Sequence, residues 1–177
     1  MNTPPQNART ILIITSVILF ILFLPAITNA EKPPDWQESS LIRNVLEAHD
    51  DALPRGLSHV VAYSESRFKS YALSRNTQDR GLMQINKEYQ DYIAWRHTEI
   101  PASSFKWDNP EHSAIAGCNY LSYLINRFGG SVYLGLVAYN WGEGNLSRIT
   151  RLEDIPKKVV KYVDMEMELL DEWVEGW

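Results

Sequence analysis

Residues 109–130 carry the sequence of a helix with a clear start and a clear end. Asn109, Pro110 and Glu111 form the start, because Asn caps free N–H groups, Pro fits the first helical position and an acid suits the positive end of the helix dipole. Apolar residues then recur at helical spacing until two glycines stop the pattern. They are Ala114, Cys118, Leu121, Ile125 and Phe128, followed by Gly129 and Gly130. The pattern predicts a helix with one face in a core.

Other segments also show helical spacing. They begin at a capping box of Asp35 and Glu38, at Leu57, near Tyr89, at Ser131, and at Asp154 with Pro156. The first is expected to bury Leu41, Ile42, Val45 and Leu46, and the last Val159, Val163, Met167, Leu170 and Trp173. Residues 142–145 break the helix from Ser131, residues 69–80 predict a loop, and residues 81–86 predict a small strand or hairpin. The sequence therefore predicts about six helices in a compact, mostly helical domain with at most a small β-hairpin.

The first thirty residues are expected to lie outside this domain. Arg9 is the only charged residue among them, and it precedes an apolar run, residues 11–24, and the small-residue ending at Ala30. This order is typical of a secretory signal cleaved after Ala30. The apolar run is short for a membrane span of roughly 20 residues, but with residues 25–27 added an uncleaved anchor is the alternative. The predicted domain is residues 31–177.

Composition excludes several kinds of site. The single cysteine, Cys118, cannot form an intramolecular disulfide, and its place on an apolar face without a partner His favours a buried side chain over a nucleophile. The four histidines show no ligand spacing, so we expect no metal and no cofactor. The net charge is −5, and it becomes −6 without the one positive charge of residues 1–30. An acidic chain without a basic run argues against a nucleic-acid partner.

A short apolar run, residues 57–68, contains a carboxylate that is suited to acid catalysis. If the run is helical, Glu65 shares a face with Val61 and Ala62 and lies in the last turn, at the negative end of the helix dipole. Both surroundings raise the pKa of a carboxyl group, as a general acid near neutral pH requires. The alternative is a solvated Glu at a helix end, paired with Arg67 or Arg80.

Three pieces of sequence together resemble a known family. They are Glu65-Ser66 at the end of a helix, the G-L-M-Q-I-N stretch of residues 81–86, and the A-Y-N-W-G-E-G stretch of residues 138–144. At these positions the chain resembles the soluble lytic transglycosylase (SLT) domain, a family with a lysozyme-like fold that cleaves peptidoglycan. The resemblance covers residues 54–146 and implies an α+β lysozyme-like fold with the hairpin beside the active-site cleft.

The resemblance also implies roles for individual residues. Glu65 would be the catalytic acid and then base, and six residues would contact substrate: Ser66, Ser74, Met83, Gln84, Tyr139 and Asn140. From residue type alone, the alternative is that Met83 and Tyr139 are core residues and that Ser74 is an ordinary loop residue. The chain departs from the family at Ser113-Ala114, where Asn-Ile is usual. It departs again at Lys157-Lys158, which replaces an acidic residue and Thr, with Tyr162 one residue closer than usual.

The family chemistry would cleave the bond between N-acetylmuramic acid and N-acetylglucosamine without water and leave a 1,6-anhydro end. The alternatives are a lysozyme-type hydrolase on the same fold, or a catalytically weak peptidoglycan-binding scaffold of an envelope-spanning machine. The expected partner is the glycan strand, in the bacterial periplasm or cell envelope. Members of the family also serve secretion systems, conjugation and pili, and the sequence leaves the choice among such machines open.

Overall fold

A computed structural model describes residues 39–74 and 77–176. In these ranges the elements are α1 (Ser40–Glu47), α2 (Leu57–Ser66), β1 (Asp79–Arg80), β2 (Ile85–Asn86), α3 (Gln90–His97), α4 (Pro110–Arg127), α5 (Val132–Trp141), α6 (Glu143–Leu146) and α7 (Lys157–Gly176). The two strands pair antiparallel, with Asp79 opposite Asn86. The predicted fold class, mostly helical with a small hairpin, is confirmed. Six helices were predicted, and the additional one is the single turn α6, which lies where the sequence predicted a break.

The predicted signal sequence, residues 1–30, and the capping box of Asp35 and Glu38 lie outside the described residues. Within those residues, no helix combines the length and the apolar character that a membrane crossing requires. The first described helix begins at Ser40 and is capped by Ser39, whose hydroxyl accepts the N–H of Ile42 at 3.3 Å. One position of its predicted face is wrong. Leu41 is 63% exposed, because α1 buries the pair four residues apart, Ile42 and Leu46.

The predicted helix starts at Asn109 and Ser131 are confirmed, whereas Asp154 lies in a short 3-10 turn and pairs with Arg151, so that the last helix begins at Lys157. The Asn109 side chain accepts the N–H groups of Glu111 and His112, and the Ser131 hydroxyl accepts the N–H of Leu134. Helix α4 is the centre of the packing, with α1, α3 and α5 against it. Cys118 is buried on its core face, where burial raises the pKa of its thiol to about 12. This environment agrees with the prediction that Cys118 is a buried core residue.

Helix α2 is almost wholly buried between α1 and α7. Its fully buried side chains Leu57, Val60 and Val61 each contribute about 1.5–3 kcal/mol from burial. The helix ends abruptly because Arg67 and Phe68 both adopt left-handed backbone angles, with φ of 53° and 60°. This ending places Glu65 in the last turn, as the sequence predicted.

Candidate active site

Glu65 is partly buried at the end of α2, and its direct hydrogen-bond partner comes from the far end of the chain. The hydroxyl of Tyr162, on α7, donates to Glu65 Oε1 at 2.5 Å across 97 residues of sequence. Because Oε1 accepts this hydrogen bond, the proton of the neutral Glu65 acid is carried by the other oxygen, Oε2. The contact exists because α7 packs along α2.

The surroundings of Glu65 bring its pKa close to neutral. Burial raises the pKa, the hydrogen bond from Tyr162 lowers it, and the negative charge of Asp79 raises it again. The result is a pKa of about 7. A carboxyl group with this pKa can both give and take a proton near neutral pH, which is the property required of one residue that serves as acid and base.

The segment of residues 81–86 forms the turn and the second strand of the hairpin, whose first strand carries Asp79, the carboxylate that acts on Glu65. Gln84 has a left-handed backbone with φ of 47°, a conformation that costs a non-Gly residue about 1–3 kcal/mol and is concentrated at functional sites. Its side-chain nitrogen donates to the carbonyl oxygens of Gly81 and Ala72, at 2.9 and 3.2 Å. The amide donor that the sequence assigned to substrate therefore holds this loop together.

Met83 and Tyr139 form one structural unit. The Tyr139 hydroxyl donates to the carbonyl oxygen of Met83 at 2.7 Å. Burial and the charge of Glu65 both raise the pKa of Tyr139, so Tyr139 is also a neighbour of Glu65. The Met83 side chain is fully buried and packs on Gly117, where an added Cβ would come within 2.5 Å of it. This position corrects the prediction of a cleft-lining Met83 side chain. The residue belongs to the core because α4 offers it a glycine-lined space.

The remaining predicted contacts lie at different depths. Ser66 is buried, and its hydroxyl donates back to the carbonyl oxygen of Ala62 at 2.9 Å. Ser74 is half-buried, and its oxygen accepts the hydroxyl proton of Thr77 at 2.7 Å. Asn140 is exposed near the end of α5. Of these three, Ser74 and Asn140 are open to solvent, whereas Ser66 serves its own helix.

Two residues that support the site were not among the sequence candidates. Ser113, noted only as a departure from the family, accepts the N–H of Met83 at 3.1 Å and so fixes the 81–86 segment to the start of α4. Tyr162 is the partner of Glu65. Its signal was its helical spacing, since it lies three residues after the buried Val159 and therefore on the buried face of α7.

The described ranges contain no group of three or more His, Cys, Asp or Glu side chains that could hold a metal ion. The groups that act on Glu65 are the hydroxyl of Tyr162 and the carboxylate of Asp79.

Comparison with known proteins gives two levels of similarity. The family model described as the transglycosylase SLT domain matches residues 46–159. The membrane-bound lytic murein transglycosylase F of Haemophilus influenzae is 33% identical over 114 residues, which are 61% of this chain and 22% of that protein. This chain thus matches about a fifth of the length of that relative.

A solved structure gives the second level. The crystal structure of the 70-kDa soluble lytic transglycosylase of Escherichia coli aligns with a TM-score of 0.50, over 76% of this chain and 20% of that one. The sequences are 18% identical in this alignment. At that identity the likeness concerns the fold alone.

Proposed function

Because this chain belongs to the transglycosylase SLT family, whose model matches residues 46–159, we propose that it is a peptidoglycan lytic transglycosylase with Glu65 as acid and base. The bond cleaved is the β-1,4 bond from N-acetylmuramic acid to N-acetylglucosamine. The observation that carries the assignment of Glu65 is its half-buried place in the last turn of α2, with the Tyr162 hydroxyl on one oxygen. These surroundings raise its pKa to about 7. Family membership supports the reaction class, and this geometry supports the residue.

In the first step, neutral Glu65 protonates the glycosidic oxygen. As the bond breaks, positive charge develops on the muramic sugar and Glu65 becomes a carboxylate. The hydroxyl of Tyr162 stabilises this carboxylate, because a hydrogen bond to an ionised acceptor is stronger than one to a neutral acceptor. Tyr162 therefore favours proton transfer from Glu65 and keeps Oε1 fixed while Oε2 releases its proton.

In the second step, the Glu65 carboxylate takes the proton from the 6-hydroxyl of the same muramic sugar. That oxygen attacks the anomeric carbon and closes the 1,6-anhydro ring. No water is consumed, because the 6-hydroxyl rather than water attacks, and Glu65 regains the proton that it gave in the first step. An intramolecular attack of this kind gains from the high effective concentration of the hydroxyl.

Asp79 is the carboxylate whose charge acts on Glu65, and we assign it a supporting role. Ordinary glycosidases need a second carboxylate, either to activate water or to attack the sugar. Asp79 Oδ1 instead accepts a hydrogen bond from the Asn86 side-chain nitrogen at 2.7 Å, and this bond holds Asp79 within the hairpin. Its negative charge raises the pKa of Glu65 and so helps keep the acid protonated.

The mass of the product tests the reaction. Peptidoglycan treated with the purified protein is expected to release muropeptides with 1,6-anhydro ends, each one water lighter than the product of hydrolysis. Mass spectrometry of the digest distinguishes the two, with hen-type lysozyme digestion of the same material as the hydrolytic reference. Products with reducing muramic ends would assign the protein to the hydrolases instead.

Replacing Tyr162 with Phe tests the hydrogen bond to Glu65. A hydrogen bond to a charged group is worth about 1.5–3 kcal/mol, so kcat/KM is expected to fall about 10- to 100-fold. The same change removes the contact that lowers the pKa of Glu65, so the pH at which activity is lost should move upward. Tyr133→Phe, which removes a hydroxyl near the start of α5, is the matched control. A Tyr162→Phe profile that overlays the parent profile would contradict the assignment.

The proposal extends to location. Residues 31–177 are proposed as the catalytic domain, with residues 1–30 as the export signal that brings it to peptidoglycan in the periplasm or cell envelope. Peptidoglycan glycan strands are the proposed substrate, and a secretion, conjugation or pilus machine is a proposed partner. N-terminal sequencing of the protein from an envelope fraction would test the signal, since cleavage predicts a chain beginning at Glu31.

A further inference from the structure

A second acid lies in the interior, on the helix that supplies Tyr162. Glu166 is 0% exposed, and the other large side chains buried to this extent in the described ranges are Leu, Met and Val. It follows Tyr162 by four residues, so the two side chains lie on one face of α7, one turn apart. This face is otherwise apolar and includes the buried Val159, Val163 and Leu170. A Glu at such a position calls for a reason other than packing.

The hydroxyls of Tyr162 and Ser64 are close enough to affect Glu166, but neither forms a hydrogen bond of good geometry with it. Within the described ranges neither of its carboxyl oxygens has a partner at hydrogen-bond distance and angle, and the same holds for Ser64 Oγ. Burying an ionised carboxylate without partners costs several kcal/mol, about the largest penalty a side chain can incur. Burial and the charge of Glu65 accordingly raise the pKa of Glu166 to about 8, although the hydroxyls of Tyr162 and Ser64 oppose that rise. Glu166 is therefore the neutral acid at neutral pH.

The direction of the hydrogen bonds follows from the proton count. Tyr162 has one hydroxyl proton, and it uses this proton in the hydrogen bond to Glu65 Oε1. Burial, Glu65 and Glu166 all raise the pKa of Tyr162, as expected for a hydroxyl that bonds Glu65 and lies one helical turn from Glu166. Towards Glu166 that hydroxyl can only accept, and only a protonated carboxyl group can donate. The terminal torsion of a Glu side chain is soft, so the Glu166 carboxyl group is free to turn towards this hydroxyl.

We propose that Glu166 is a positioning residue which, as the neutral acid, donates to the Tyr162 hydroxyl and thereby commits the Tyr162 proton to Glu65. The proposal rests on the proposed function, because Glu65 must be the working acid for its positioning to affect cleavage. If Glu166 loses its proton, its carboxylate competes with Glu65 for the Tyr162 proton and repels the carboxylate that Glu65 becomes.

The titratable groups that face Glu166 come from three helices. Tyr162 lies on its own helix, Glu65 on α2 and Tyr139 on α5, and the charges of both glutamates raise the pKa of Tyr139. Both tyrosines have pKa values raised well above 10. They stay neutral over the pH range in which the two acids titrate. Two ionisations, of Glu65 and then of Glu166, are therefore expected to remove activity as the pH rises.

The pH dependence of cleavage gives the first readout. On a logarithmic plot of kcat/KM for soluble peptidoglycan strands, the alkaline limb of the parent is expected to steepen to a slope of about −2, because both acids must be protonated. In Glu166→Gln the amide still donates to Tyr162 but cannot ionise, so the parent rate below about pH 6 is kept and the slope falls to about −1. A slope that is the same in parent and variant would overturn the proposal.

An apolar variant separates donation from the filling of space. Glu166→Leu keeps the side-chain volume in the core but removes the donor. Below about pH 6, where Glu166 of the parent is neutral, its kcat is expected to fall about tenfold with KM unchanged, because Tyr162 and Glu65 lose their orientation while the cleft surface stays intact. A purely structural Glu166 predicts that the Leu variant is more stable than the parent and equally active, and that result would also overturn the proposal.

Stability gives a readout that needs no catalysis. The unfolded chain releases the Glu166 proton near the ordinary pKa of 4.5, whereas the folded chain keeps it to about 8. The folded state thus binds more protons in this window, and its stability falls as the pH rises. Between about pH 5 and pH 8 the unfolding constant of the parent is expected to rise at least about tenfold more than that of Glu166→Gln.

These readouts distinguish the two proposals. An active Glu65→Gln variant would overturn the proposed function while the stability difference at Glu166 persisted. Equal pH dependence of stability in the parent and Glu166→Gln would overturn the protonation of Glu166 while cleavage by the parent persisted. A stability difference without any effect of Glu166→Gln or Glu166→Leu on cleavage would overturn its positioning role.

Discussion

Replacing Glu65 with Gln is expected to lower the rate of peptidoglycan cleavage by at least about a thousandfold, because the amide can neither give the first proton nor take back the second. The Gln carbonyl oxygen can still accept the Tyr162 hydroxyl proton, so the change leaves the support of the site in place. The loss should appear in kcat, measured as the release of soluble muropeptides. KM should change little, because the residue acts on the reacting bond.

The fold of this variant is expected to be intact. The pKa of Glu65 is raised to about 7, so above that pH the ionised Glu65 lowers the free energy of unfolding. A neutral Gln removes this destabilisation. The melting temperature of Glu65→Gln should therefore equal or exceed that of the parent at about pH 8. Glu172→Gln, an exposed change on α7, is the matched control for the loss of one carboxylate. A folded Glu65→Gln protein that cleaved at the parent rate would overturn the assignment of the acid.

Replacing Gly81 with Ala is expected to have the largest effect on stability. Gly81 has φ of +80°, and a Cβ there would lie 2.1 Å from the carbonyl oxygen of Trp107 and 2.9 Å from Ser113 Oγ. The backbone strain alone costs about 1–3 kcal/mol, and the clash is with backbone, which cannot turn aside. A loss of at least about 2 kcal/mol in the free energy of unfolding is expected by urea denaturation.

The same substitution should also reduce cleavage. Ser113 holds the N–H of Met83, and the Met83 carbonyl oxygen holds Tyr139, so displacing Ser113 disturbs a wall of the site. Gly144→Ala is the matched control, since that glycine has no neighbour within 4 Å of an added Cβ and no positive φ. The control is expected to change the free energy of unfolding by less than about 0.5 kcal/mol. Equal stability of the two variants would contradict the packing described for Gly81.

Local features of the fold could be predicted from the sequence because their causes are local. The caps at Asn109 and Ser131 satisfy N–H groups two or three residues away, so the sequence order alone reveals them. The hairpin and the end of α2 likewise depend on short segments. The exposed Leu41 shows the limit of this approach, because an apolar residue can be assigned to either edge of a face until the partner helix is known.

The support of the candidate site could not be predicted in the same way. Tyr162 reaches Glu65 across 97 residues, and Ser113 reaches Met83 across 30. No local pattern contains such pairs. The sequence did carry one clue, a Glu at position 166 on the apolar face of the last helix, and it becomes meaningful only when α7 is placed against α2. The role of Glu65 itself came from motif resemblance, and its surroundings supply a physical reason for that role.

The packing of α7 on α2 also sets an order of events during synthesis. The ribosome releases α2 about a hundred residues before the segment that carries Tyr162 and Glu166, and until α7 docks, the end of α2 is open to water. A solvated Glu65 would have its ordinary pKa of 4.5 and be ionised at neutral pH, with no proton to give. The proposed acid therefore gains its raised pKa only when α7 is docked, and a chain clipped before α7 is expected to be inactive although it keeps the motifs at residues 65–66, 81–86 and 138–144.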